Sequence, residues 1–489
     1  MTQLNKALLA ALVSCATALP LSAQTEQTND SLMPPPQQGG QFQPGGFQPG
    51  DSLMPDSLRR MGPPPGGGQG GPMQPGGQGG PGGMPPGGMG PGGMGGPGGM
   101  GGPGGMGGPG GRNISQDSSL SDEGIGLSEG EESQANQTYT STGKDENAVK
   151  VTGGTLTLEN CTISKPGADS NNEDGTSFYG TNAAVLATAG GNVCLQGGTI
   201  STNARGANAI VASGGTVEVR DMVINCENNL SRGIHATNGG TINASNLTIS
   251  TKGNNSSVIA TDRGGGTVTV NGGSYETSGG DCAVCYSTGN ITVNGITGRS
   301  VKGEIGVIEG DNEINYNNCT LESGDNRRGM MILQSGSGDA VGFNGRINVC
   351  GGALKLTSSE APLIEITTRT QGTVCLKDVA LEVPSGVLMQ VGYNSRWQTK
   401  NPVGILHLQT ESACTFEGNI VVLDDGTSTV VVEKGVTWNG AYDAADTGLA
   451  TTVEVAGTWN LTADSHVDKV VVLEGGTINK NGHQLVTSN

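Results

Sequence analysis

The segment Gly214-Gly215-Thr216-Val217-Glu218-Val219-Arg220-Asp221 decides the fold. It recurs as Gly239-Gly240-Thr241-Ile242-Asn243-Ala244-Ser245-Asn246 and as Gly153-Gly154-Thr155-Leu156-Thr157-Leu158-Glu159-Asn160. After each Gly-Gly, apolar and polar residues alternate at period two, which predicts a strand with one buried face. The residue after the strand is Asn160, Gly197, Asp221, Asn246, Gly272, Gly295, Asn317, Gly351 or Asp378. These residue types tolerate positive φ, so a left-handed bend is expected once per repeat. A second short strand follows, as in Thr162-Ile163, Thr199-Ile200, Val223-Ile224 and Thr248-Ile249. A third precedes Gly-Gly, as in Val185/Ala187, Ala209/Val211, Ile234/Ala236 and Val284/Tyr286. Second glycines at 191, 215, 240 and 266 give steps of 24, 25 and 26 residues. Three strands and one bend per step predict an all-β chain, a single right-handed parallel β-helix. About a dozen coils at ~4.8 Å each would make a rod of about 60 Å. Val193, Val217, Ile242, Val268 and Ile291 should stack as one interior ladder.

Outward from this repeat, the chain divides readily. The β-helix is expected over 144–430. Residues 431–489 hold a shifted repeat, Gly435-Val436-Thr437-Trp438-Asn439 and Gly457-Thr458-Trp459-Asn460. They read as C-terminal coils and cap, with Trp438 and Trp459 covering the open core. Residues 113–143 are polar and acidic, either a solvated lead-in or an N-terminal cap. Residues 24–112 are Pro-, Gly-, Met- and Gln-rich, too poor in apolar side chains to offset their ordering entropy, so a disordered spacer is expected. Residues 1–23 read as a signal peptide: Lys6, an apolar run to Leu21, then Ser22-Ala23-Gln24. A lipoprotein alternative places lipidation at Cys15, after Leu12-Val13-Ser14; the apolar run past Cys15 suits ordinary cleavage better.

Composition narrows the function. The 489 residues include 88 Gly and 23 Pro, and the net charge is −19. An acidic chain lacks the basic face that nucleic acid requires. No stretch is apolar and long enough for a transmembrane helix. Beyond Cys15, nine cysteines are widely spaced. One CxxC, Cys282 and Cys285, has no partner pair, so buried thiols are expected rather than zinc ligands or a disulfide framework.

Several phrases resemble a known group: Phe178-Tyr179-Gly180-Thr181-Asn182, Ser231-Arg232-Gly233-Ile234, Ala260-Thr261-Asp262-Arg263-Gly264, Tyr286-Ser287-Thr288-Gly289, and Trp459-Asn460-Leu461-Thr462-Ala463-Asp464-Ser465. They are similar to exported right-handed β-helix proteins of gut bacteria, adhesin-like or carbohydrate-binding, with a pectate-lyase-like fold. The resemblance covers roughly 138–489. It implies export to the surface or medium of a Gram-negative bacterium, with the periplasm or a lipid anchor as alternatives. Asp30-Ser31-Leu32, Asp51-Ser52-Leu53 and Asp56-Ser57-Leu58 resemble the Bacteroidetes O-glycosylation motif. That resemblance makes Ser31, Ser52 and Ser57 acceptor candidates on a stalk.

Aligning coils on Gly-Gly gives two outward columns. One reads Thr188, Ala212, Thr237, Asp262, Ser287 and Glu309. The other reads Leu186, Ile210, His235, Ala260, Cys285 and Val307. Asp262 and Glu309 then lie two coils apart, about 10 Å, near the carboxylate spacing of inverting glycosidases. With Arg232, His235 and Arg263 they form a candidate carbohydrate site, or a set of solvated ion pairs. Guanidinium groups suit uronate carboxylates. Tyr286 could stack on a sugar if it points outward; its apolar alternation also permits an inward position. The combined motif set of polygalacturonase-type enzymes is not present. The leading expectation is a non-catalytic, monomeric binder of polysaccharide or host glycan. The alternatives are a lyase or hydrolase of uronate polymers and a structural spacer. No catalytic residue, resident metal or cofactor is expected, though the many carboxylates leave room for Ca²⁺.

Overall fold

The structure is a computed structural model that describes residues 116–335, 338–392, 401–423, 425–444 and 450–488. The signal segment, Cys15, the spacer and Ser31, Ser52 and Ser57 lie outside the described residues. The chain winds as a right-handed parallel β-solenoid of about 13 turns. A first sheet of 15 strands runs from Ser119–Leu127 to Leu485–Val486. A second sheet has 18 strands, and a third, near the C-terminus, has four. Among the described residues the one helical element is a π turn, Gly175–Tyr179.

The bend inside each coil of the second sheet is the local feature that makes the fold. In Thr155–Lys165 the chain turns at Asn160, φ 53°. Gly197, Asp221, Asn246, Gly272 and Gly295 repeat that conformation. In the next coil the bend falls on Asn318, φ 52°, not on Asn317 as the spacing suggested. Asn317 instead faces outward and donates its amide to Asn294, 2.8 Å away. The two adjacent asparagines are equivalent to local sequence reading; only strand register separates them. After the bend, space is tight: a Cβ at Gly198 would lie 2.1 Å from the Cys161 carbonyl oxygen.

The interior ladder is continuous. Leu156 pairs with Val193, then Val217, Ile242, Val268 and Ile291 follow in register. All are buried. Each such side chain contributes about 1.5–3 kcal/mol by leaving water.

Both ends differ from expectation. Coil stacking starts at Ser119 rather than Lys144, because Ser119–Leu127 pairs with Glu146–Val151. Glu131–Ala135 and Thr138–Thr140 pair with Thr155–Lys165. In this first coil Glu132 and Gln134 stand in register with Leu156 and Leu158, and the Gln134 amide donates to the Glu132 carboxylate at 2.9 Å. Polar side chains thus take the interior positions where the core meets water. That hid the strand from a period-two apolar search. At the other end, Trp438 and Trp459 are fully buried rungs, stacked at 4.9 Å between centroids and 10° between planes. Their indole N–H groups donate to the Gly418 and Gly440 carbonyls. One more coil follows, so they do not close the core. Val470, Ile478 and Leu485 of that last coil are only partly buried.

Ile242→Asp should put an unpaired charge between two apolar neighbours and cost more than about 4 kcal/mol. Each coil touches only its neighbours, so amide hydrogen exchange should accelerate first at 216–220 and 266–270. Uniform acceleration across all coils would contradict a stack with nearest-neighbour coupling.

Candidate functional site

The candidate residues lie on the outer face of the first sheet. His235 and Tyr286 share one column with Leu186, Val211, Ala260 and Val307. Ile210 and Cys285, assigned to this column from the glycine spacing, instead belong to the interior. Coil length varies around the Gly-Gly turn, and a slip of one residue moves a side chain to the other face. The same correction removes Ala212 and Ser287 from the second column. Thr261 pairs with Ala236 and Ser287 with Ile308, so the residues that follow, Asp262, Thr288 and Glu309, share a column on three successive coils, with Asp262 and Glu309 two coils apart.

These groups are not presented to solvent. His235 is 0% exposed, Asp262 and Glu309 2%, and Arg232 8%; Arg263 and Tyr286 are partly buried. Two insertions cover them. In the first, 166–184, the Phe178 ring lies under the Arg263 guanidinium at 3.9 Å. The Phe178 carbonyl accepts hydrogen bonds from Thr237 Oγ1 and Asn238 Nδ2, both at 2.8 Å. In the second, Asp339 accepts from Arg263 Nε and Nη2 at 2.8 and 2.6 Å. Ser335 donates to Glu309 Oε2 at 2.5 Å. Tyr286 Oη donates to Glu309 Oε1 at 3.0 Å, so Tyr286 points outward, onto a carboxylate. Arg232 Nη2 donates to Asp262 Oδ2 at 3.1 Å. His235 Nε2 stands 3.9 Å from the same oxygen, and neither ring nitrogen has a hydrogen-bond partner.

Burial sets the protonation states here. It pushes the Asp262 carboxyl up to about 7, with Arg232 pulling it back down. Glu309 is raised by burial and partly offset by the Ser335 and Tyr286 bonds. His235 is held well below its ordinary value by burial, then by the Arg232 charge, and is neutral. The cluster is therefore a sealed lock between the insertions and the sheet. Arg232, Asp262 and Glu309 thus meet protein partners rather than solvent, while Arg263 and Tyr286 stay partly exposed.

A second charged cluster on this face was not anticipated. Arg327 forks onto Asp325, Nε–Oδ1 3.0 Å and Nη2–Oδ2 2.8 Å. Arg328 pairs with Glu304 at 3.3 Å and with Glu365. Burial, then Asp325, pushes Glu304 up to about 7, and the two arginines pull it down. The available signal was positional: Arg328 stands two residues before Met330–Leu333, as Arg232 stands two before Ile234–Thr237.

An accessible concavity lies elsewhere among the described residues. On the outer face of the second sheet an open groove of about 460 Å³ crosses the strands from Thr155–Lys165 to Gly266–Thr277. Its polar lining includes Glu159, Gln196, Glu218, Arg220, Asn243 and Asn271. Asn243 Nδ2 donates to Glu218 Oε1 at 2.7 Å, and the Arg220 guanidinium donates to the Gln196 amide oxygen. Outward polar residues are the default of any half-buried strand, so the sequence offered no reason to single these out. Among the described residues no group of three or more His, Cys, Asp or Glu side chains is placed to hold a metal ion. No helix there is long and apolar enough to cross a membrane.

Arg232→Ala should leave Asp262 without its countercharge. A raised carboxyl pKa favours the protonated folded state, so its stabilising effect is complete below about pH 4 and is lost as pH rises toward 7. The variant should lose about 3–5 kcal/mol at pH 8 and less at pH 5, where Asp262 is protonated. Thermal melts at the two pH values measure this. Equal losses would show that Arg232 acts by packing alone.

No family profile matches the chain, and no solved structure matches it. Among curated proteins it is similar to the BrkA autotransporter of Bordetella pertussis, 24% identical over 340 residues. That alignment takes in 67% of this chain and 30% of the relative, so the chain spans about a third of the length of the autotransporter it resembles.

Proposed function

We propose that this chain is an exported, outer-surface β-solenoid of adhesin type, which holds a glycan in the groove on its second sheet. The groove carries the reading. It is open and continuous over five coils, and it presents side-chain amides, carboxylates and a guanidinium. The similarity to a protein named as an autotransporter supports export, as does the leader-like start of the sequence. In the same reading 24–112 is a stalk glycosylated at Ser31, Ser52 and Ser57, and the solenoid acts as a monomer. A lyase or hydrolase reading would need Asp262 and Glu309 to meet substrate; both are 2% exposed and are bonded to Arg232, Tyr286 and Ser335.

The full chain should bind glycans on an array of plant, host and bacterial oligosaccharides. Gln196→Ala combined with Asn243→Ala removes two amides from the groove. Affinity should fall about tenfold, a typical loss for one or two hydrogen bonds. Circular dichroism and melting temperature should not change. Binding that survives the double variant would place the site away from the groove. An array without any signal would favour a structural spacer.

A further inference from the structure

We infer that the groove takes a neutral glycan lying along the solenoid axis, about four sugar rings long, and disfavours uronate polymers. This rests on the groove being the binding site. Orientation follows from the register. Glu159, Gln196, Arg220, Ser245 and Asn271 form a single column on five successive coils. Four coil spacings of ~4.8 Å span about 19 Å, roughly four pyranose rings at about 5 Å each. A chain lying along the strands would cross the column instead and meet one coil.

Charge selects against acidic ligands. The charged side chains of the lining are Glu159, Glu218 and Arg220. The guanidinium is already engaged by the Gln196 amide oxygen. Two carboxylates against one guanidinium leave the lining net negative, which repels a polymer with a carboxylate on every ring, and the chain's net charge of −19 adds to that field. Hydroxyl groups fit better. They donate to Glu159 and Glu218 in charge-assisted bonds and accept from the Asn243 and Asn271 amides.

The test titrates the full chain calorimetrically with neutral gluco- and xylo-oligosaccharides of two to six rings and with oligogalacturonates of the same lengths. Neutral ligands should gain affinity several-fold per ring up to about four rings and then plateau. Oligogalacturonates should bind at least tenfold more weakly. Glu159→Gln with Glu218→Gln should raise oligogalacturonate affinity several-fold, because it removes the repelling charges. Oligogalacturonate binding as tight as neutral binding, and lost in the Gln196→Ala, Asn243→Ala variant, would overturn the inference and leave the groove as the site. Neutral affinity that does not depend on chain length would overturn the axial orientation. Binding of every class untouched by that variant, or binding of none, would overturn the underlying reading as well.

Discussion

From Asn136 to Asp378 each coil places its left-handed bend over the bend of the coil below. The parallel ladder allows no slack, since a shift of one residue would turn the apolar face of a strand outward. Asn160, Gly197, Asp221 and Asn246 meet this demand with residues that accept positive φ, and some of them also bond to one another. Asn246 donates to Asp221 at 2.7 Å. With the bends aligned, Leu156, Val193, Val217 and Ile242 have to stack. The interior is thus a consequence of the bend as much as of hydrophobicity.

The two outer faces solve different problems. The middle of the first sheet is covered, and its cover is held largely by charge and hydrogen bonds. Leu186, Val211 and Ala183 make a small apolar patch there, while Arg232, Asp262, Arg263, Glu309 and Asp339 supply the rest. Burial makes these pairs sensitive to loss of one partner, and it raises the Asp262 and Glu309 carboxyls above their usual range. The second sheet keeps its polar side chains in solvent. A surface of exposed amides and carboxylates at fixed coil spacing can meet a repeating ligand, whereas a sealed ionic lock cannot.

The ends show how a stack without natural termini is finished. At the N-terminal coil, Glu132 and Gln134 occupy interior positions and bond to each other. Near the other end, Phe416, Trp438 and Trp459 widen the interior rungs before the last coil. Polar replacement shields the first coil, whereas beyond the aromatic rungs Val472, Leu473 and Val486 of the last coil stay exposed.

Period, bend residues and interior ladder were legible in the sequence because each is set within one coil. Alternation is a two-residue property, and a left-handed bend depends on a single side chain. The existence of an Asp262–Glu309 column was legible for the same reason. Its burial was not. Arg263 meets Asp339 from 76 residues away, and Phe178 covers Thr237 from 59 away. Those contacts exist only once two insertions fold back over the sheet. The groove needed tertiary structure too, since Glu159, Gln196 and Arg220 become neighbours only through coil register. Local chemistry determined what each coil is; long-range packing decided which of its outward side chains are sealed and which can meet a partner.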